Sequence, residues 1–499
     1  MRWAQPGSAT NRGHSEQRVD RRVKDLSVHR TTAELCEFAN APRSLPSWLD
    51  RKRTIHLMAA IAGFLIAANC AISDAADPKP AAPKDTKATT AGAKSAESDS
   101  QEAGDQAQSV FSMSDPKTTD EEWKKWSEGT GRADYNNRIR NGDLDGTSMQ
   151  VISNGIKMQI YAMTLPTQRD NLGILVSGLL RSVHGAADSK DAATQRQVRQ
   201  AMMKEIIHWC HEIGGNQFYV RLNAAILLGN LFIVPETPAN RGAAEFFADA
   251  FEPLLEVLER PGQPEGVKLA AVNGLRNAAN SSVPPLSHTA LIRLATKLLV
   301  ELEKTDTCEW YQERICETLG SLDQTLDLDG RPFIVHALAK ALFDRNRPLC
   351  ARAAAAKALG RAPLPSAIDL NVVAYGIADL GRQIVEARNE RKRHVRRWCI
   401  ANILLAFRPK DALERSRRAG LLERVDEPSF QKYRDSIKEV YALVRPMVVQ
   451  ELKEADSAFA PEVGEHLADW LKNHTPPQMR VAPGLPLITT TQVTKTEAH

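Results

Sequence analysis

Five segments of the chain align with one another without gaps, and this internal repetition restricts the fold more than any other feature. The segments start at residues 220, 267, 311, 351 and 395, so successive starts lie 47, 44, 40 and 44 residues apart. Their sequences are VRLNAAILLGNL, VKLAAVNGLRNA, YQERICETLGSL, ARAAAAKALGRA and VRRWCIANILLA. A repeat of this length is typical of proteins built from stacked pairs of helices.

The segments share a pattern of apolar residues. Counting the first residue of each segment as position 0, positions 0, +4, +8 and +11 are apolar in all five copies. This spacing places the four side chains on one face of a helix. Position +4 is usually small, which predicts close approach of a neighbouring helix, as at Ala224, Ala271, Ala355 and Cys399.

The consensus V-R-x-x-A-A-x-x-L-G-x-L resembles the second helix of a HEAT repeat, particularly of the bilin-lyase-like bacterial kind. The segments at Val220 and Ala351 match it most closely. The resemblance implies an all-α fold, namely an α-α superhelix of the HEAT or armadillo type. It implies little about activity, because HEAT arrays serve as scaffolds, cargo binders, inhibitors and occasionally enzymes.

Composition agrees with an all-α fold. Aromatic residues make up only 6% of the chain, and Ala and Leu are abundant in its second half, which favours helices over a β-sandwich or barrel. No hairpin signal interrupts the helical periodicity. The first helices are predicted at Ser148–Thr164, Asp170–Val183, Ala192–Ile213 and Phe218–Phe232.

Residues 51–75 have the layout of a secretory signal. Three basic residues precede an apolar run from Ile55 to Ala68, and a small-residue triplet ends at Ala75, which suits cleavage by signal peptidase. We therefore predict export to the periplasm or beyond the cell. The alternative is that residues 55–72 remain as a membrane anchor, although a span needs about 20 apolar residues.

The remaining regions are assigned by composition. From Ala76 to Ser109 the chain lacks every large apolar side chain, and such a stretch cannot offset the entropy of ordering. The Thr-rich and Pro-containing C-terminus is interpreted in the same way. The predicted organisation is an extension at 1–50 outside the mature protein, a disordered linker at 76–120, a poorly ordered lead-in at 121–146, a HEAT-like solenoid at 147–474 and a disordered tail at 475–499.

The charge distribution argues against a nucleic acid partner. The formal net charge is +4, but residues 1–75 carry 11 basic and 7 acidic residues, which leaves 54 of each in the rest (65 − 11 and 61 − 7). The mature chain is therefore neutral and has no general attraction for polyanions.

One local basic run is a candidate binding site for an acidic partner. It lies at the start of the fifth segment and would hold a carboxylate-rich or phosphate-rich polymer, or it is an ordinary solvated loop. The predicted anion-binding residues are Arg388, Arg391, Lys392, Arg393, Arg396 and Arg397.

A second basic feature follows the repeats. Position +1 is basic or amidic in every copy, with Arg221, Lys268, Gln312, Arg352 and Arg396. In the family that the segments resemble, this Arg commonly supports packing between repeats through carboxylates in turns. The alternative is a ladder of anion-binding side chains.

No motif indicates catalysis, a cofactor or a metal. Nucleotide-binding, hydrolase and metalloprotease patterns are absent from the sequence, and His208 with His211 supplies only two ligands on one helix face. Of five cysteines beyond residue 75, most are predicted to pack in the core, with Cys308 and Cys350 considered as a bridge. We predict a scaffold or protein-binding module without catalytic chemistry. The alternatives are an enzyme with a site assembled on the concave face, near His208, and an acidic-polymer binder.

Overall fold

The computed structural model describes residues 115–237, 243–387, 393–408, 419–453 and 458–489. The predicted extension, the signal and most of the linker lie outside these ranges. Seventeen helices and three short strands account for most of the described residues, which confirms the helical fold class.

The helices are numbered in chain order. They are α1 Asp120–Glu128, α2 Thr130–Asn141, α3 Gly146–Ala162, α4 Leu172–His184, α5 Ala192–Glu212, α6 Phe218–Leu228, α7 Phe251–Glu259, α8 Glu265–Ser281, α9 His288–Glu303, α10 Glu309–Ser321, α11 Phe333–Phe343, α12 Leu349–Arg361, α13 Leu370–Glu386, α14 Arg393–Phe407, α15 Leu421–Arg424, α16 Arg434–Lys453 and α17 Pro461–Asn473.

The five aligned segments form α6, α8, α10, α12 and α14, and each of these helices packs against the next. We call them the repeat row. Helices α7, α9, α11 and α13 pack against the repeat row and form a flanking row. The predicted apolar positions are buried in every copy except at Val395, which is half-buried. The apolar pattern therefore specifies the contacts between successive helices.

The closest approach between neighbouring helices occurs at glycines near their C-terminal ends. A side chain at Gly320 in α10 would place its Cβ 2.5 Å from the Cβ of Ala358 in α12. A side chain at Gly274 in α8 would lie 2.6 Å from the Cα of Gly229, which follows α6. Both distances are too short for real atoms, so these contacts require glycine.

A small sheet interrupts the helices, contrary to the absence of a hairpin signal. Strand β1, Phe232–Val234, pairs antiparallel with β2, Glu245–Phe247, and β2 pairs parallel with β3, Ser282–Val283. Helix α6 consequently ends at Leu228, four residues before its predicted end. Strands of two or three residues are too short for their alternation to be recognised in a sequence.

The predicted lead-in at 121–146 is wrong, because these residues form α1, α2 and the start of α3. Thr119 and Glu122 form a reciprocal capping box at the start of α1, which satisfies two backbone donors. Tyr135 and Ile139 of α2 are buried. Residues 115–119 of the predicted linker are also placed, and the Lys117 amide donates to Thr164 Oγ1 at 2.9 Å.

The predicted disordered tail begins too early. Residues 475–489 pack on the helices, and the Asp369 amide donates to the Val481 carbonyl at 2.8 Å. The side chains of Val481, Leu485 and Ile488 are buried. The prediction relied on the Pro and Thr content of this segment and did not consider its apolar residues, which pack against the helices. Residues 490–499 lie outside the described part of the chain.

Candidate functional site

The position +1 side chains make contacts between neighbouring repeats. Arg352 donates from Nε to the Leu342 carbonyl at 2.9 Å and from a terminal nitrogen to Gln383 Oε1 at 2.7 Å. Lys268 pairs with the buried Glu301 at 3.1 Å. Arg221 donates to Gln263 Oε1 at 2.7 Å, and Gln312 accepts from Arg347 at 3.0 Å. These contacts favour the structural interpretation of the column over an anion-binding ladder.

Two members of the predicted basic site are also engaged inside the fold. Nε of Arg396 lies 3.1 Å and Nε of Arg397 lies 3.4 Å from the carboxylate of Glu451, whose side chain is 6% exposed. The Arg396 guanidinium also stacks over Phe459. Arg388, Arg391 and Lys392 lie outside the described residues, and Arg393 begins α14 with no described side chain. Binding of an acidic partner by this run stays a prediction.

A charged cluster lies in the middle of the repeat row. Glu317 of α10, whose side chain is 8% exposed, contacts Arg276 of α8 at 3.4 Å, Arg314 at 2.5 Å and Lys357 of α12 at 2.7 Å. Burial favours the neutral acid, but the three cations outweigh it and lower the pKa of Glu317 to about 2. This carboxylate is therefore ionised at any physiological pH.

Glu313 lies one turn before Glu317 and has the opposite electrostatic environment. Burial and the nearby charge of Glu317 raise its pKa to about 7, against a usual value of 4.5. The indole of Trp398 in α14 donates to Glu313 Oε1 at 2.6 Å. Helix α12 lies between α10 and α14, so the indole reaches Glu313 across α12, where Ala353 and Ala354 are small and buried.

The two carboxylates differ in environment: burial favours the protonated form of Glu313, whereas the cations around Glu317 hold its carboxylate ionised. A separation of pKa values between neighbouring carboxylates is a feature of acid–base sites. Sequence reasoning missed both residues. The available signal was an acidic residue at position +2 of α10, where the repeats at α6, α8 and α12 carry Leu222, Leu269 and Ala353.

A groove lies between α6 and α8 on the face defined by positions +2 and +6, the positions that Glu313 and Glu317 occupy in α10. Its volume is about 320 Å³. Gly229 and Gly274, where the backbones of the two repeats approach each other closely, are part of its lining. The lining is apolar with amide groups, comprising Leu222, Ile226, Gly229, Asn230, Gly266, Leu269, Ala270, Asn273, Gly274 and Asn277.

The amides of the groove suit a peptide backbone. Asn277 donates to the Gly229 carbonyl at 2.9 Å, and Asn230 donates to the Ile226 carbonyl at 2.7 Å. Both hydrogen bonds use the amide nitrogen and do not involve the side-chain oxygen. Ile226 is 37% exposed. A lining that combines apolar side chains with amide groups suits an extended polypeptide, which presents apolar side chains and unpaired backbone groups.

Searches of protein families, curated proteins and solved structures found no match to this chain. The candidate site therefore rests on its own geometry.

The other sequence candidates do not form sites in the described residues. His208 and His211 are exposed on α5, and within the described ranges no group of three His, Cys, Asp or Glu side chains is placed to hold a metal ion. Asp145 caps the start of α3, and Asp327 organises a turn through Asp329 and Arg331. Both aspartates therefore organise local backbone structure.

The cysteines of the described chain are thiols. Cys210, Cys316, Cys350 and Cys399 are buried and Cys308 is exposed. The thiol nearest to Cys350 is that of Cys399, at 3.8 Å between sulfur atoms, rather than Cys308. None of the described helices is long and apolar enough to cross a bilayer.

Proposed function

We propose that this protein is an α-solenoid of the HEAT type that acts as an extracytoplasmic scaffold or protein-binding module. The ligand is an extended polypeptide bound across the repeat row, with an apolar side chain in the groove between α6 and α8. The observation that carries this proposal is the combination in that groove of Leu222, Ile226 and Leu269 with three asparagines.

The stacking of five equivalent helices supports the solenoid. In such arrays the second helices of successive repeats form one extended binding surface. Export rests on the signal-like layout of residues 51–75 alone, and N-terminal sequencing of the purified protein tests it. A chain that begins at Ala76 supports export, whereas retention of residues 55–72 supports the membrane anchor.

A pair of exposed isoleucines tests the binding face. Ile226→Asp places a charge in the groove, and Ile174→Asp makes the same change on α4, where Ile174 is 68% exposed. Tagged wild-type chain and both variants are used to capture proteins from an envelope extract, which are then quantified by mass spectrometry. Ligands retained by wild type and Ile174→Asp but lost from Ile226→Asp support the proposal. Identical captured sets would contradict it.

The second candidate function is proton-transfer catalysis by Glu313 with Glu317 as its ionised partner. The separated pKa values favour it. A screen of hydrolase substrates with wild type and Glu313→Gln tests this function. Turnover that Glu313→Gln abolishes without loss of thermal stability supports an enzyme, and equal turnover by both proteins contradicts it.

A further inference from the structure

Two cysteines on neighbouring helices of the repeat row lie side by side. The thiol of Cys399 in α14 donates to the sulfur of Cys350 in α12, with 3.8 Å between the two sulfur atoms. Both side chains are buried, with 4% of Cys350 and 1% of Cys399 exposed. In the described part of the chain, this is the one hydrogen bond that joins two sulfur atoms.

The packing of α12 against α14 is close enough for a covalent bridge. Near the C-terminal ends of the two helices, a Cβ at Gly360 would overlap the Ala406 carbonyl, so the backbones are in contact there. A disulfide joins Cα atoms that lie about 4.4–6.8 Å apart, and helices reach such separations only where they pack closely. Cys350 lies in the first turn of α12, and the residue after it, Ala351, is small.

Formation of the bond requires a small movement of the sulfur atoms. A disulfide bond is about 2.05 Å long, so the two sulfur atoms must approach each other by about 1.8 Å from their present contact. Rotation about the Cα–Cβ bond of each cysteine moves its sulfur without moving the helix.

A shared metal ion is the other chemistry open to two neighbouring thiols. A structural zinc site takes four ligands, and within the described ranges no group of three His, Cys, Asp or Glu side chains is placed to hold a metal. The geometry of this pair therefore favours a disulfide over a metal site.

We propose that Cys350 and Cys399 are an oxidation site, at which a disulfide cross-links α12 and α14 while the chain folds. The oxidant is a small molecule or a protein that carries a disulfide. The thiolate of one cysteine attacks a sulfur of that disulfide, which releases a thiol and leaves a mixed disulfide. The thiolate of the other cysteine then attacks the cysteine sulfur of the mixed disulfide and releases the second thiol. The two cysteines lose two electrons and two protons, and the oxidant becomes two thiols.

The folded environment determines when this reaction occurs. The hydrogen bond with Cys350 and burial raise the pKa of the Cys399 thiol, so the reactive thiolate is scarce once α14 has packed on α12. Oxidation therefore belongs to the period before the two helices are fully packed. An exported chain meets disulfide-bearing oxidants at that stage, and burial then protects the completed bond from reductants.

The cross-link also fixes the helix that carries Trp398. This indole precedes Cys399 in the chain and donates to Glu313 Oε1 at 2.6 Å. A bond at Cys399 therefore holds the donor beside the carboxylate of the second candidate function. The inference does not use the groove between α6 and α8, so it is independent of the polypeptide-binding function.

Peptide mapping of the full chain tests the site. Reduced protein is unfolded in urea and refolded in a mixture of reduced and oxidised glutathione. Free thiols are then blocked with N-ethylmaleimide, and the protein is digested without reduction. We expect the main cross-linked species to join the peptides that contain Cys350 and Cys399, and to separate on reduction. Blocked thiols at both positions, or Cys350 joined mainly to Cys308, would overturn the inference.

Two alanine variants supply the controls. Position +4 is Ala in three other copies of the repeat, so Cys399→Ala suits α14, and Cys316→Ala removes another buried thiol. We expect oxidative refolding to raise the melting temperature of wild type and Cys316→Ala by several degrees, because the bond joins residues 49 positions apart and restricts the unfolded chain. Cys399→Ala should show no gain. A gain that persists in Cys399→Ala would overturn the assignment of the pair.

The time of oxidation is tested by adding oxidised glutathione to chain that has already folded in the reduced form. We expect the bond between Cys350 and Cys399 to form severalfold more slowly than during refolding, and equal rates would contradict oxidation during folding. Failure of export is distinguishable from failure of this inference. A chain that retains residues 55–72 but forms the bond on refolding overturns cleavage alone, whereas a processed chain with both thiols free in the cell overturns the oxidation site.

Discussion

A single buried guanidinium, that of Arg352, connects three parts of the repeat array. Its side chain is 1% exposed and donates to Leu342 and Gln383, so its removal leaves the Leu342 carbonyl and the half-buried amide oxygen of Gln383 without this donor. We expect Arg352→Met to lower the free energy of unfolding by about 2–4 kcal/mol. Urea unfolding followed by circular dichroism measures this loss.

The control for Arg352 is Arg293→Met. Arg293 pairs with Glu252 and Glu259 but is 46% exposed, and exposed ion pairs contribute about 0–1 kcal/mol. Similar small losses for both variants would show that the contacts of Arg352 contribute little to stability.

Glu313 makes stability depend on pH in a direction opposite to that of most carboxylates. Its pKa of about 7 in the folded chain exceeds the usual value of 4.5, so the folded state binds the proton more tightly. The stabilisation of the folded state by protonated Glu313 is fully present below about pH 4.5 and is lost as the pH rises through 7. The pKa difference corresponds to roughly 3 kcal/mol.

Thermal unfolding of wild type and Glu313→Gln between pH 5 and 8 measures this effect. Wild type should lose stability relative to Glu313→Gln as the pH rises, while Glu303→Gln, at an exposed position of α9, should follow wild type. Glu317 acts at acidic pH instead. Because its pKa of about 2 lies below the usual value of 4.5, its ionised carboxylate stabilises the fold above pH 4.5, and this stabilisation is lost as the pH falls towards 2. Parallel curves for wild type and Glu313→Gln would contradict the raised pKa.

Sequence reasoning at the residue scale reaches roles that repeat and misses roles that occur once. At position +1 the family resemblance predicted packing between repeats, and the contacts of Lys268 with Glu301 and of Arg352 with Gln383 favour that interpretation. The Glu313–Trp398 contact joins residues 85 positions apart and depends on which helices are neighbours. No local pattern predicts such a pair.

At the scale of elements, the glycines near the ends of the repeat helices determine how closely those helices pack. We expect Gly320→Ala to lower the free energy of unfolding by about 1–3 kcal/mol, because the added methyl group overlaps Ala358 and over-packing is costly. The comparison is Gly178→Ala in α4, where nothing lies within 4 Å of the new Cβ. That change should raise stability by about 0.5–1 kcal/mol through helix propensity. Chemical denaturation separates the two signs, and a gain for both variants would contradict the close contact.

The helices themselves were predictable because their periodicity is long and regular. The predicted helix at Ala192–Ile213 differs from α5 by one residue. Helices α1 and α2 were missed because their apolar content is low, and α1 has no buried residue. Their stability comes from the capping box and from the packing of Tyr135, neither of which is visible in periodicity.

At the scale of the whole molecule, neighbour-to-neighbour packing makes the ends of the array as important as its middle. An end helix lacks one neighbour and exposes an apolar face unless another segment covers it. Helices α16 and α17 pack against α13, and residues 475–489 extend this C-terminal packing at the start of α13 through the Asp369–Val481 hydrogen bond. Composition alone predicted a disordered tail for these residues, because a count of prolines and threonines contains no information on tertiary contacts.

Truncation tests whether residues 475–489 stabilise the end of the array. A chain that ends after residue 474 loses the burial of Val481, Ala482, Leu485 and Ile488, and burial of each large apolar side chain contributes about 1.5–3 kcal/mol. We expect its melting temperature to fall by several degrees, with the exposed start of α13 becoming susceptible to protease. A chain that ends after residue 489 keeps every described contact and should melt with the full chain. Equal melting temperatures for all three chains would mean that this segment lies on the surface of the array without stabilising it.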